Sequence, residues 1–318
     1  MSFPKLLLLG SVVVFSVIGV VGYAKKSANK KPAVPVAVAT PASVAEKKAP
    51  PVIIMEKQQP PVSLEQAPKK GGVDAFIDID RVHQLFTTGP LKLPIVETIS
   101  YSSKVSWLKG RPAWIADYAS YYGTSRHFIA RSLNGKEDYF TQKIMAGSRF
   151  NVFKKDKKID FHLLVDASRC KMALYYFDHD TNERVLLKTY TVGLGKNSLT
   201  PIGDFSLGNK VAIYKPGAMG YFHDKKIEMI RVFGTRWIPF EGTKGCGIHG
   251  VPWSEKEGKL IENKAYIGKY ASDGSVQMAA HDMEELFAVV ITKPAFVHIV
   301  KDIHDAKLPG MEVATPTK

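Results

Sequence analysis

Apolar and polar positions follow three successive patterns along the chain. Leu6 to Tyr23 is an unbroken apolar run of 18 residues with no charge inside it. Between Trp107 and Phe153 the spacing becomes helical: Ile115, Tyr118, Ala119 and Tyr122 share one face, Gly123 stops that helix, and Thr124 or Ser125 can cap the next. The alternation Phe150-x-Val152 then suits a strand. After a charged hinge at Lys154 to Asp160 the pattern changes to short β-rich runs, Phe161 to Asp166, Lys171 to Phe177 and Arg184 to Val192, with a hairpin turn at Asp178 to Asn182 that leaves His179 solvated. The predicted fold class is α+β, a mainly antiparallel β domain preceded by a small β-α-α-β module.

The ends and joints follow from composition. The first apolar run, flanked by Lys5 and by Lys25 and Lys26, is near the lower limit for crossing a bilayer. Residues 1–24 are therefore either a signal peptide cut near Gly22-Tyr23-Ala24 or a retained membrane anchor. Residues 25–73 hold eight prolines among Ala, Val and Lys with no period, which predicts an extended linker. Residues 74–106 carry a mixed pattern, Phe76, Ile77, Ile79, Val82, Leu85 and Phe86, that suits a short helix and receives no function. The module is bounded at 107–156, the β domain at 159–302, and 303–318 is a tail.

Charge and cysteine content narrow the partners. The net charge is +14, but Lys25 to Lys70 holds nine Lys against three Glu, so six of those charges sit in the linker. The remainder forms no basic stripe with interleaved aromatics, so no nucleic-acid partner is expected. Cys170 and Cys246 are the only cysteines, too few for a disulfide scaffold or a cysteine zinc cluster, though one bridge is open to them after export. The nine histidines have no metal-ligand spacing, and neither a metal nor a cofactor is expected. Val192-Gly193-Leu194-Gly195-Lys196 lacks the ending of a phosphate loop.

The candidate chemistry lies between Gly245 and Met278. An apolar strand ends in His249-Gly250, and Ser272-Asp273-Gly274-Ser275-Val276-Gln277-Met278 offers a Gly-flanked hydroxyl on a tight turn. Such an arrangement can bring an imidazole to a nucleophile. Cys246 is a third reactive group, but in a strand it points away from residue 249.

From Phe161 to Asp302 the chain resembles the L,D-transpeptidase (YkuD) family. The resemblance rests on Leu164-Val165-Asp166, Val192-Gly193-Leu194-Gly195, Thr200-Pro201-Ile202-Gly203-Asp204-Phe205, Gly234-Thr235-Arg236-Trp237, Gly247-Ile248-His249-Gly250, and a helix carrying Asp282, Glu284, Glu285 and Leu286. The family cross-links or anchors peptidoglycan through a cysteine acyl-enzyme, in cell-wall biogenesis and cell shape. Where its pattern reads Ser-His-Gly-Cys, an apolar residue and Arg or Asn, this chain reads Ser272-Asp273-Gly274-Ser275-Val276-Gln277. The resemblance implies His249 as base, Ser275 in the nucleophile position, Asp273 in place of the second histidine, amides around Gly274 as an oxyanion hole, and Gly250, Gln277 and Trp237 as substrate contacts. The module, with Asn134-Gly135 and its closing Gly-x-x-apolar strand, resembles LysM units that bind N-acetylglucosamine-containing glycans.

Two functions follow from these resemblances. The first is peptidoglycan L,D-transpeptidation: a stem tetrapeptide acylates the nucleophile, loses its terminal D-Ala and passes to the amine of a neighbouring stem. The second is a catalytically silent peptidoglycan-binding envelope protein. Either places the chain in the periplasmic or extracytoplasmic envelope, held to the membrane if the first segment is retained.

Overall fold

The computed structural model describes residues 76–134 and 144–313. The signal or anchor segment, the linker, Gly135 of the module motif and the end of the tail lie outside the described residues. No helix among the described residues is long and apolar enough to cross a membrane.

The N-terminal part combines three helices with one strand pair. Helix α1 is a single turn, His83–Phe86; strand β1 is Val96–Ser100; helices α2 and α3 are Ile115–Tyr122 and Arg126–Asn134; strand β2 is Arg149–Phe153. β1 and β2 pair antiparallel from Val96 opposite Phe153 to Ser100 opposite Arg149, so residues 96–153 form a β-α-α-β unit. Its first strand lies upstream of residue 107, which corrects the boundary expected from sequence. Gly123 ends α2 in the left-handed conformation (φ 56°, ψ 47°), and the Ser125 hydroxyl accepts from Phe128 N at 2.9 Å at the start of α3. Tyr118, Ala119, Ile129, Phe150 and Val152 fill a small core between helices and strands. β2 is buried along four of its five residues, because α1 and the β domain cover the face that a simple alternation would leave to water.

The β domain is built from sixteen further strands. Three long ones, β3 (Ile159–Asp166), β4 (Lys171–Asp178) and β5 (Glu183–Thr191), form an antiparallel meander. Short strands follow: β6 (Leu194–Gly195), β7 (Gly203–Ser206), β8 (Ala212–Ile213), the hairpin β9 (Met219–Phe222) and β10 (Lys225–Glu228), the one-turn helix α4 (Ile230–Phe233), and β11 (Arg236–Pro239). Then come β12 (Gly247–Gly250), the hairpin β13 (Trp253–Lys256) and β14 (Lys259–Glu262), β15 (Tyr270–Ser272), β16 (Val276–Met278), helix α5 (Ala280–Val290), β17 (Ala295–Val300) and β18 (Met311–Glu312). Two sheets carry the architecture, one of six strands in the order β18-β5-β4-β3-β17-β7 and one of four in the order β16-β12-β11-β8. Antiparallel pairings dominate, and β17 with β3, β18 with β5 and β16 with β12 run parallel.

The main core lies between the sheets and α5. Phe161, Leu163, Leu174 and Leu187 of the large sheet, Ile238, Ile248 and Val276 of the small one, and Met283, Leu286 and Phe287 of α5 belong to one buried cluster. The outer face of the large sheet is covered too, with Leu164, Ala173, Tyr175 and Leu186 under Phe76, Ile79 and Leu308. Burial on both faces explains why β3 to β5 read as nearly continuous apolar runs.

A buried ionic cluster joins the two parts. Lys188 Nζ on β5 lies 2.8 Å from Glu285 Oε1, 3.0 Å from Asp80 and 3.3 Å from Asp282, while Arg131 of α3 stands 3.8 Å from Glu285. The Tyr190 hydroxyl donates to the same Glu285 oxygen at 3.3 Å. Removing Glu285 leaves Lys188 and Arg131 buried beside fewer anions, so Glu285→Ala is expected to cost about 3 kcal/mol. Urea denaturation checks this. A loss below about 1 kcal/mol would mean that Asp80 and Asp282 compensate for the missing carboxylate.

Candidate functional site

Register on the small sheet sets out one row of residues. Trp237 on β11 pairs with His249 on β12, and His249 is aligned with Gln277 on β16. The neighbours Ile238, Ile248 and Val276 enter the core, so by strand alternation the row occupies the opposite face. Three of the residues expected from sequence are brought together here. Cys246, just before β12, packs against the buried cluster that contains Ile248, and burial raises its pKa. Cys170 and Cys246 are both free thiols, so the structure contains no bridge between them.

Aromatic rings enclose His249. Phe233 of α4 meets it edge-on at 5.3 Å and Trp237 at 5.6 Å, and Phe222 and Tyr214 pack in turn on Phe233. Only 5% of the histidine is exposed. Its Nδ1 is 2.7 Å from Gly250 O, and the ring also hydrogen bonds with the backbone of Phe233. Burial pushes its pKa down to about 4, against the opposing pull of the two backbone contacts. Phe233 was absent from the sequence reading. Its signal was the following Gly234, which holds φ 60°; a Cβ there would lie 2.7 Å from Gly250 Cα, so glycine is what lets the Phe233 turn press against the His249 strand.

The turn at 272–275 is fixed from below and does not engage the imidazole. Ser272 Oγ donates to Ser275 O at 2.7 Å and accepts from Gly274 N at 3.3 Å. Gly274 (φ 114°) packs on Leu199 O, and a Cβ on Gly195 would fall 2.8 Å from Gly274 Cα. Ser275 is 8% exposed, and no hydrogen bond joins its hydroxyl to His249 among the described residues. The proton-transfer contact expected between them is therefore not formed. Nor is Gly274 N–H free for an oxyanion, since it already donates to Ser272. Asp273 turns outward, its side chain 83% exposed, and pairs with Lys196 Nζ at 2.9 Å. Gln277 Oε1 is buried without a partner among the described residues. No group of three or more His, Cys, Asp or Glu able to hold a metal occurs among them.

Residues 160–299 match the family model described as YkuD, L,D-transpeptidase catalytic domain. The chain carries a YkuD-like domain. Among solved structures it is similar to Bd1075 of Bdellovibrio bacteriovorus, at 14% identity over 45% of this chain and 48% of that one, with a TM-score of 0.32. It is also similar to the helical cell shape determining protein Pgp2 of Campylobacter jejuni, at 16% identity over 48% and 51%, again with a TM-score of 0.32. This chain thus spans about half the length of either structure. A search of curated proteins finds no match.

The His249 environment predicts a pH dependence. The unfolded chain takes up a proton near 6.5, while the folded imidazole resists it down to about 4. Its contribution to stability is therefore full above about 6.5 and falls as pH drops toward 4. His249→Asn keeps an N–H for Gly250 O and removes the titration. Acid unfolding of the variant should be shallower across this window by up to about 1.4 kcal/mol per pH unit; an unchanged slope would place the titration elsewhere.

Proposed function

We propose that this chain is a peptidoglycan-binding protein of the cell envelope whose YkuD-like domain holds stem peptides without turning them over. The observation that carries this reading is the state of the would-be catalytic pair. On the resemblance, Ser275 takes the family's cysteine position, and the imidazole that would activate it is engaged with Gly250 O instead. Serine needs a strong, aligned base before it attacks a carbonyl. With its pKa pushed to about 4, His249 holds a proton less well than a free imidazole by roughly 3 kcal/mol. Asp273 offers no substitute, because its carboxylate lies in solvent on Lys196.

Several features suit binding. Trp237 lies in the row with His249 and Gln277, Lys196 and the half-exposed Leu199 border the 272–275 turn, and the unpartnered Gln277 oxygen is an acceptor available to a peptide N–H. The β-α-α-β unit, in the LysM-like reading, supplies a glycan contact. An extracytoplasmic location follows from these ligands, and the first apolar run would supply export or anchoring.

Intact-mass measurement after incubation with a tetrapeptide donor, and separately with a carbapenem, tests the proposal. The expected result is no acyl adduct, co-sedimentation with purified peptidoglycan, and stem-peptide affinity unchanged in Ser275→Ala. An adduct that disappears in both Ser275→Ala and His249→Ala would instead establish transpeptidation through the serine. One that survives Ser275→Ala but disappears in Cys246→Ser would move the nucleophile to Cys246.

A further inference from the structure

A cleft of about 680 Å³ lies where the N-terminal part meets the β domain, and neither His249 nor Ser275 lines it. Ala116 and Ala119 of α2 form one side; Val211 and Ile213 around β8, with Phe287 and Ile291 at the end of α5, form the others. The small sheet ends at β8, and the two alanines facing it stop at a methyl group, so the space between is left open. Its size suits a small molecule rather than a folded partner. No carboxylate lines it.

The charge beside the cleft comes from Lys293. Its Nζ lies 3.6 Å from where a Cβ on the lining residue Gly123 would stand, and 5.6 Å from the centroid of the Phe153 ring. Burial lowers the pKa of this half-buried ammonium, and no carboxylate among the described residues offsets that burial. Lys188 shows the contrast: against its own burial, the carboxylates around it raise its pKa. A cation drawn out of water without a counter-ion is unfavourable, so an anion beside Lys293 is favoured. On the wall of the cleft His127 meets Phe287 edge-on at 5.0 Å. Burial, with Arg236 and Arg126 nearby, pushes its pKa down to about 3, so it enters the cleft as a neutral imidazole.

We propose that this cleft binds a small amphipathic monoanion, an aryl or acyl carboxylate, with its head beside Lys293 and its apolar body between α2 and Phe287. One ammonium balances one charge, and the walls of Ala116, Val211, Ile213 and Phe287 offer the apolar surface that such a body requires. The ligand touches α2, the β8 edge and α5 at once. Binding therefore braces the joint between the two parts and stabilises the folded chain by mass action. The stem-peptide reading is independent of this one, because its residues do not line the cleft.

The full-length protein should be titrated with anilinonaphthalene sulfonate, an aromatic monoanion that fluoresces out of water, and with phenylnaphthylamine, which has the same apolar body and no charge. The sulfonate should bind, decanoate should displace it, and either anion should raise the melting temperature. Lys293→Gln should weaken the sulfonate about tenfold and leave phenylnaphthylamine unchanged, while Lys293→Arg should retain both. Ala116→Trp, which fills the space from an exposed position, should weaken both dyes. Unchanged melting of the unliganded variants separates lost binding from lost fold, and Lys293→Gln provides the reading if Ala116→Trp does not fold. Wild-type affinity for the sulfonate in Lys293→Gln would overturn the choice of an anion, and wild-type affinity for both dyes in Ala116→Trp would place them elsewhere and overturn the site. Failure of decanoate to compete, together with Lys293-dependent binding to phosphatidylglycerol vesicles, would overturn the proposal in favour of a lipid contact.

Discussion

The ammonium of Lys188 is the point on which the two parts of the molecule converge. It lies in the long meander, yet its partners come from the N-terminal strap through Asp80 and from α5 through Asp282 and Glu285, and Glu285 also faces Arg131 of α3. Burial works against the charge, but the surrounding carboxylates hold the lysine pKa well above its usual value. Such a cluster is a modest source of net stability and a strong source of registry, because any other arrangement strands a buried ion. Here it fixes α5 against both β5 and α3. Ser125, whose hydroxyl caps α3 and donates to Ala288 O of α5 at 2.8 Å, reinforces the same joint.

That joint explains how the small sheet is held. α5 follows directly from β16, so fixing the helix fixes the strand that carries Gln277 and leads back to Ser275. The row Trp237, His249 and Gln277 is thus a rigid consequence of the core beneath it. Rigidity alone does not make a catalyst. The groups must also be aimed at one another with matched proton affinities. In this domain the imidazole is aimed at backbone and the serine turn is tied to Ser272, so the two side chains are not aimed at one another.

Much of this was legible in the sequence because it is local. Gly123 as a helix stop, Ser125 as a cap, the meander strands and the helix after Met278 each follow from spacing and special residues within a few positions. The strand Val96 to Ser100 was not legible. Its partner, Arg149–Phe153, lies far along the chain beyond two helices, and Glu97, Thr98 and Ser100 give it no clear alternation. The enclosure of His249 was hidden for a similar reason. Nothing near Gly247-Ile248-His249-Gly250 announces Phe233, which arrives through a tight glycine approach between α4 and β12. The parallel pairing of β12 with β16 likewise depends on the long intervening segment rather than on either strand.

A fixed joint also has a consequence for binding to a polymer. If, as proposed, glycan is held by the β-α-α-β unit and stem peptide by the small sheet, both contacts belong to one covalent ligand. The second contact then forms at an effective concentration set by geometry rather than by bulk supply. A flexible link would spread that concentration over many orientations; a joint locked by Lys188, Glu285 and Ser125 confines it to those strand paths that reach both surfaces. Weak individual contacts can then add up to stable retention, provided the spacing of the polymer fits. On the proposed function, the buried ions would therefore help to set which segments of a polymer the two parts can occupy together.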